Sequence, residues 1–257
     1  MDRPAIDLAR VRSLTGASWA IDVVAATEST NADLLAAPDA ADRTVLAAEH
    51  QTAGRGRLDR TWVSPPGAGL TFSVLLRPVA APDTWGWLPL LAGVALADAV
   101  ADGTGVAAAL KWPNDLIAGP DERKLAGILA QSRGPAVVVG IGLNVSTTED
   151  ELPVDTATSL ALLGRPDVDR TALLAGILDR LGHWYERGQA EGERAGLASA
   201  YWARCATLGR PVRVALAGGG AIEGTAADVD DFGRLRLRTS SGVETIAAGD
   251  VAHLRPA

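Results

Sequence analysis

The sequence changes its pattern of apolar residues near residue 209, and this change sets the domain organisation. From Arg210 onward, short segments of strand-like composition alternate with glycine-rich turns. Several short strands at such regular spacing are typical of a small β-barrel or sandwich. The strands are expected at 211–216, 221–228, 233–238, 243–247 and 251–254. We therefore predict a small β-barrel over residues 209–257, attached to a larger domain over residues 1–208.

The larger part mixes strand and helix patterns. Apolar runs typical of buried strands predict β-structure at 21–24, 44–48, 70–76, 109–112, 123–131 and 136–145. Capping residues and apolar periodicity predict helices at 4–12, 32–37, 84–101, after Asp169, and at 193–208 with a stop at Gly209. A chain of 257 residues can bury one main core and a small second one. The fold class predicted is α+β.

Composition excludes several classes of protein. The net charge is −7 and the isoelectric point is about 5.0, which argues against a nucleic-acid binder. A single cysteine rules out an internal disulfide, and no zinc-binding motif occurs. No secretory leader is evident, and the longest apolar run, 85–100, is too short to span a bilayer. We expect a soluble cytoplasmic protein.

Lysine and asparagine are rare in this chain, and the few positions where they occur are candidates for functional residues. Lysine and arginine together number 24, yet lysine occurs only at 111 and 124. Asparagine occurs only at 31, 114 and 144. In a sequence rich in Ala, Arg and Gly, such rare types indicate positions where a substitute would not serve.

The segment from Gly54 to Trp62 combines close-approach glycines with three arginines. Glycine lets the backbone approach a ligand, and successive N–H groups in such a turn form a concave anion site. Guanidinium groups add planar forks suited to carboxylate or phosphate. The segment is therefore predicted to be an anion-binding loop.

Other candidate residues extend this chemistry to a polyanion such as ATP. No Walker A motif is present, so a P-loop NTPase is not supported. Asn114 and Asp115 offer the hard oxygen ligands that Mg²⁺ prefers. Lys124 and Arg57 are suited to hold a carboxylate against an α-phosphate. A reaction joining a carboxylate to AMP fits these residues, with a loop that closes to keep water out.

Five segments together resemble the biotin protein ligases in order and approximate spacing. They are Glu-Ser-Thr-Asn at 28–31, Gln-Thr-Ala-Gly-Arg-Gly-Arg at 51–57, Lys-Trp-Pro-Asn-Asp at 111–115, Lys-Leu-Ala-Gly-Ile at 124–128 and Gly-Ile-Gly-Leu-Asn at 140–144. The resemblance covers about residues 20–255 and implies a catalytic domain like class II aminoacyl-tRNA synthetases, followed by an SH3-like β-barrel. Asp59 departs from the family, which often has glycine there.

The resemblance also implies a role for each site residue. Lys124 and Arg57 would be catalytic. The biotin-binding residues would be Ser29, Thr30, Asn31, Gln51, Gly54, Arg55, Gly56, Arg57, Lys124 and Gly127. The ATP-binding residues would be Arg57, Arg60, Trp62, Lys111, Asn114, Asp115 and Asn144, with Asp115 nearest the metal.

The activity implied is that of a monofunctional ligase without a DNA-binding domain. Biotin and MgATP would give biotinyl-5′-AMP, and biotin would pass to a lysine of the biotin carboxyl carrier domain of acyl-CoA carboxylases. Neither DNA nor membrane binding is expected, and self-association would be a weak homodimer at most. Two alternatives stay open: a lipoate or octanoate ligase, and a non-catalytic regulator that binds a small acid or nucleotide.

Overall fold

The larger part of the molecule is built on a seven-stranded mixed sheet. The structure is a computed structural model and describes residues 3–58, 60–189, 194–216 and 218–254. The strands are β1 (Ala20–Val24), β2 (Thr44–Ala48), β3 (Gly69–Leu76), β4 (Ala108–Lys111), β5 (Asp115–Ala118), β6 (Arg123–Arg133) and β7 (Ala136–Asn144). Their order is β1-β2-β3-β7-β6-β5-β4. Only the β1–β2 pair is parallel within this sheet as described. The predicted strands are confirmed.

Five helices accompany this sheet in the described residues. They are α1 (Leu8–Thr15), α2 (Thr30–Leu35), α3 (Trp87–Thr104), α4 (Arg170–Gln189) and α5 (Arg194–Arg204). The helix α3 is buried on most faces, packs on α4 and contacts β4 and β6. It is the one described helix long and apolar enough to cross a membrane, but 67% of it is buried, as in the core helix of a folded domain.

Several helix boundaries differ from prediction, and three of these differences have an identifiable structural basis. Asp7 caps α1, which therefore begins at Leu8 instead of at residue 4. The residues before α3 form a separate 3₁₀ turn, Pro82–Thr84. The predicted end of α5 at Gly209 was wrong. The helix ends at Arg204, because Cys205 forms a β-bridge with Leu110.

The C-terminal region forms a second, antiparallel sheet. Its strands are β8 (Pro211–Ala215), β9 (Ala221–Val229), β10 (Leu235–Thr239), β11 (Gly242–Ile246) and β12 (Asp250–His253), in the order β11-β10-β9-β8-β12. One continuous apolar core includes residues of both sheets. The indole N–H of Trp112 donates to Gly233 O at 3.2 Å, and that of Trp87 donates to Asp230 O at 3.1 Å. The small sheet is therefore fixed against the large one.

The N-terminal segment is held by an ion pair, and we predict that the contribution of this pair to stability depends on pH. Arg3 lies 2.5 Å from Glu151 and lowers the pKa of that carboxyl from 4.5 to about 2. A depressed folded-state pKa stabilises the protein above pH 4.5, and the contribution is lost as the pH falls toward 2. We expect Glu151→Gln to lower the free energy of unfolding by up to about 1 kcal/mol at pH 7. The difference in unfolding free energy between the wild type and Glu151→Gln, measured by urea titration, should be smaller at pH 3 than at pH 7.

A neighbouring carboxylate provides the control for this prediction. Glu149 lies 3.9 Å from Arg123, and its side chain is 78% exposed. Glu149→Gln should therefore leave the unfolding free energy unchanged at both pH values. A loss from Glu151→Gln that is equal at pH 7 and pH 3 would contradict the assignment.

Candidate active site

A cavity of about 1320 Å³ brings the predicted residues together. Its floor is formed by β3, β6 and β7, and its walls are the described residues on either side of Asp59 in the 54–62 segment, the β4–β5 hairpin and β12. Every predicted site residue lines it except Gly54. The five motif segments, which are distant in sequence, thus meet in one place.

One end of the cavity carries a neutral hydrogen-bonded network. The hydroxyl of Ser29 caps α2 by accepting from Ala32 N, which places Thr30 and Asn31 in the first turn of that helix. The backbone N–H of Thr30 donates to Gln51 Oε1 at 2.8 Å. The amide of Asn31 donates to Leu129 O at 3.2 Å, across the cavity floor. This end can therefore bind a neutral polar group.

A serine in this network was missed by the sequence analysis. Ser73 on β3 is fully buried and lines the cavity, and its hydroxyl contacts Thr30 Oγ1 at 2.7 Å and Asn31 Oδ1 at 2.6 Å. The available signal was a hydroxyl in the otherwise almost wholly apolar stretch Leu70–Leu76.

The predicted anion-binding loop forms a short hairpin over the cavity. Trp62 N donates to Gly54 O at 2.9 Å, and Gly56 N donates to Arg60 O at 2.6 Å. A Cβ on Gly54 would lie 2.5 Å from Trp62 O, so the two strands of the hairpin can approach only because residue 54 is glycine. Asp59 lies outside the described residues. The exposed Arg55 lies on this hairpin and lines the cavity.

Two arginines of the hairpin reach the C-terminal sheet. Arg57 donates to Asn114 Oδ1 at 3.3 Å and to Gly249 O at 3.4 Å, and Arg60 is paired with Asp250. Burial raises the pKa of Asp250, but the hydrogen bond from Arg60 and the surrounding positive charges together outweigh it and hold the carboxyl pKa below its usual value. The sequence analysis did not foresee Gly249 or Asp250. They make the second sheet part of the cavity wall.

The middle of the cavity holds Lys124 against a carboxylate and an aromatic ring. Lys124 Nζ lies 2.6 Å from Asp115 Oδ1 and 5.9 Å from the centroid of the Trp62 ring. The ring packs on the glycines of the floor, since a Cβ on Gly142 would lie 2.3 Å from it and one on Gly127 would lie 3.3 Å from it. The ammonium group is thus held beside a carboxylate, and the charge of that same carboxylate acts on Arg57.

The far end of the cavity is lined by polar groups from three elements. Asn114, in the β4–β5 hairpin, donates to Ile128 O at 2.9 Å, and Asn144 at the end of β7 donates to Thr158 O at 2.9 Å. Lys111 is near His253. Burial lowers the pKa of the His253 imidazole most, and the positive charge of Lys111 lowers it further. These groups suit a polar, anionic ligand.

Comparisons with known proteins agree with this geometry. Residues 20–147 match the model of the biotin/lipoate A/B protein ligase family, and residues 207–254 match the biotin protein ligase C-terminal domain. The second match supports the SH3-like assignment of the small sheet.

Similar proteins cover nearly the whole chain. The biotin–[acetyl-CoA-carboxylase] ligase of Mycobacterium tuberculosis is 45% identical over 98% of this chain and 97% of that protein. The bifunctional ligase/repressor BirA of Bacillus subtilis is 32% identical over 90% of this chain and 72% of its own length. The Aquifex aeolicus biotin protein ligase, solved in complex with biotin and ATP, superposes with a TM-score of 0.78 at 28% identity, covering 92% of this chain and 99% of that one. The chain therefore belongs to the biotin protein ligase family.

Proposed function

We propose that this protein activates biotin with ATP and transfers it to a lysine of a biotin carboxyl carrier domain of an acyl-CoA carboxylase. The observation that carries the proposal is the position of Lys124. Its ammonium group lies in one cavity between a neutral hydrogen-bonding end and a polar end suited to a nucleotide. The name of the Mycobacterium tuberculosis relative supports both the acid and the acceptor.

The roles of the site residues are part of the proposal. Biotin would contact the neutral end and the hairpin through Ser29, Thr30, Asn31, Gln51, Gly54, Arg55, Gly56, Arg57, Lys124 and Gly127. ATP would contact Arg57, Arg60, Trp62, Lys111, Asn114, Asp115 and Asn144. Gly54 would act through the shape of the hairpin, because it does not line the cavity.

The proposed reaction has two steps. A carboxylate oxygen of biotin attacks the α-phosphorus of ATP, the bond to the β-phosphate oxygen breaks, and pyrophosphate leaves. Lys124 and Arg57 hold the two anions together and stabilise the charge that develops between them. The neutral amine of the acceptor lysine then attacks the acyl carbon, loses a proton and displaces AMP.

Magnesium is proposed to accompany ATP. The described residues contain no cluster of three or more metal-ligating side chains. The carboxylate of Asp115 lines the cavity beside the oxygen-bearing Asn114, and this pair suits Mg²⁺, which takes most of its remaining ligands from phosphate and water. The ion would neutralise phosphate charge when bound.

Further features belong to the same proposal. We place the catalytic domain at residues 1–208 and the SH3-like domain at 209–257. The net charge of −7 supports an activity without DNA. We place the activity in the cytoplasm and expect at most a weak homodimer, which sedimentation at increasing protein concentration would test.

Biotinylation of an isolated carrier domain tests the transfer directly. The purified protein, biotin, ATP and Mg²⁺ should add one biotinyl group to the carrier, seen as a mass shift of the intact domain. A carrier with arginine in place of its acceptor lysine should not be modified. Transfer of octanoyl or lipoyl groups in place of biotin would contradict the proposal.

A further inference from the structure

The buried Ser73 hydroxyl sits directly beneath the neutral end of the cavity. A hydroxyl removed from water costs free energy unless it is hydrogen-bonded, and Ser73 has two such contacts. Each hydroxyl carries one proton, so the partners of Ser73 decide which of the oxygens around it donate and which accept.

Asn31 fixes the direction of the first contact. Its side-chain nitrogen donates to Leu129 O at 3.2 Å and to Gln131 Oε1 at 2.9 Å. A backbone carbonyl can only accept, so the nitrogen of Asn31 must face Leu129 and its oxygen must face Ser73. The side chain is also wedged in place, since a Cβ on Gly140 would lie 2.2 Å from Asn31 Oδ1. Ser73 must therefore donate its proton to Asn31.

The second contact follows from the first. With its proton committed to Asn31, Ser73 can only accept from Thr30, whose hydroxyl lies at 2.7 Å. Gln51 Oε1 lies farther from the same Thr30 hydroxyl, at 3.0 Å, and the 2.7 Å contact between the Thr30 and Ser73 oxygens needs a proton that only Thr30 can supply. The hydroxyl proton of Thr30 therefore points to Ser73. Two acceptor oxygens, Thr30 Oγ1 and Gln51 Oε1, are left side by side among the residues that line the cavity.

We propose that Ser73 is a positioning residue that makes this end of the cavity require an N–H donor, and so selects the cyclic urea of biotin. The proposal rests on the proposed function. A urea N–H shared between the two oxygens satisfies both of them. An acid whose distal end has no N–H would shut these two oxygens off from water without giving either a hydrogen bond. A hydrogen-bonding site rejects a ligand that lacks the matching group in this way.

The test is Ser73→Ala, compared across acids with and without a urea. Without Ser73, the Thr30 hydroxyl can turn to Gln51 Oε1 and satisfy the acceptor pair internally. Affinities would be measured as KM or inhibition constants in ATP–pyrophosphate exchange. Biotin and desthiobiotin, which both carry the urea, should each bind about tenfold more weakly. Octanoate and thiolane-pentanoate, which is biotin without its urea, should bind unchanged or more tightly, and the KM for ATP should not move.

Two further variants separate positioning from stability. Ser159 is equally buried and donates to Thr147 O at 2.6 Å, without contacting the network, so Ser159→Ala should lower stability without changing the preference among acids. Ser73→Thr keeps the hydroxyl and should retain the preference for biotin. If Ser73→Ala does not fold, Ser73→Cys supplies the same test, because a thiol is a weak donor.

The outcomes distinguish this inference from the function on which it rests. Equal weakening of all four acids in Ser73→Ala, or no change in any, would overturn the role of Ser73 while the wild-type activity with biotin stood. A wild-type protein that shows no exchange with biotin would overturn the proposed function and this inference together.

Discussion

Replacing Lys124 by methionine is expected to reduce biotin-dependent ATP–pyrophosphate exchange by about 10³-fold, mainly through kcat. The ammonium group lies 2.6 Å from Asp115, a carboxylate whose charge also acts on Arg57, in the part of the cavity where two anions would have to meet. A preorganised charge at that point stabilises the transition state without reorganisation, and methionine retains most of the side-chain volume without the charge.

An ion pair of the same length, far from the cavity, provides the control. Arg180 on α4 lies 2.6 Å from Asp102, and neither residue lines the cavity. Arg180→Met should leave exchange unchanged. If Lys124→Met kept more than about a tenth of the wild-type exchange, the catalytic role of Lys124 would be wrong.

Replacing Gly142 by alanine is expected to reduce exchange by about 10²-fold while the sheet remains folded. The new Cβ would lie 2.3 Å from the Trp62 ring, which is closer than two non-bonded carbon atoms can approach. The ring must move away from the floor, and the hairpin that carries it and Arg57 must move with it. A displacement of about 1 Å of a positioning group is sufficient for a loss of this size.

Gly176, within α4, allows the same substitution where nothing obstructs it. Apart from the adjacent residues and the backbone of the same helix, no described atom lies within 4 Å of a Cβ at that position. Gly176→Ala should therefore leave exchange unchanged and raise the unfolding free energy by about 0.4–1 kcal/mol. Exchange by Gly142→Ala at the wild-type rate would show that contact between Trp62 and the floor is not needed for activity.

Much of the site could be predicted because its residues occur in short segments of distinctive composition. Thr30 and Gln51 belong to different segments, 28–31 and 51–57. Each segment could be identified from its own sequence, and the cavity brings the two residues together. Rare lysines and asparagines added a second signal, as at Lys124 and Asn114.

The missing parts depend on contacts between distant residues. Asp250 closes the cavity by pairing with Arg60, which lies 190 residues earlier in the chain, and no local pattern marks that pair. Ser73 gave only a weak signal, since it is one of two hydroxyl residues in an otherwise apolar strand. The early end of α5 likewise follows from the bridge between Cys205 and Leu110, which is a tertiary contact that overrides the local helical pattern.

ATP–pyrophosphate exchange by the wild-type protein tests the central claim most directly, because it detects adenylate formation without any acceptor protein. Biotin, lipoate and octanoate would be supplied in separate reactions with ATP and Mg²⁺. We predict exchange with biotin and only background exchange with the other two acids. Exchange with lipoate or octanoate but not with biotin, or exchange with none of the three, would contradict the account.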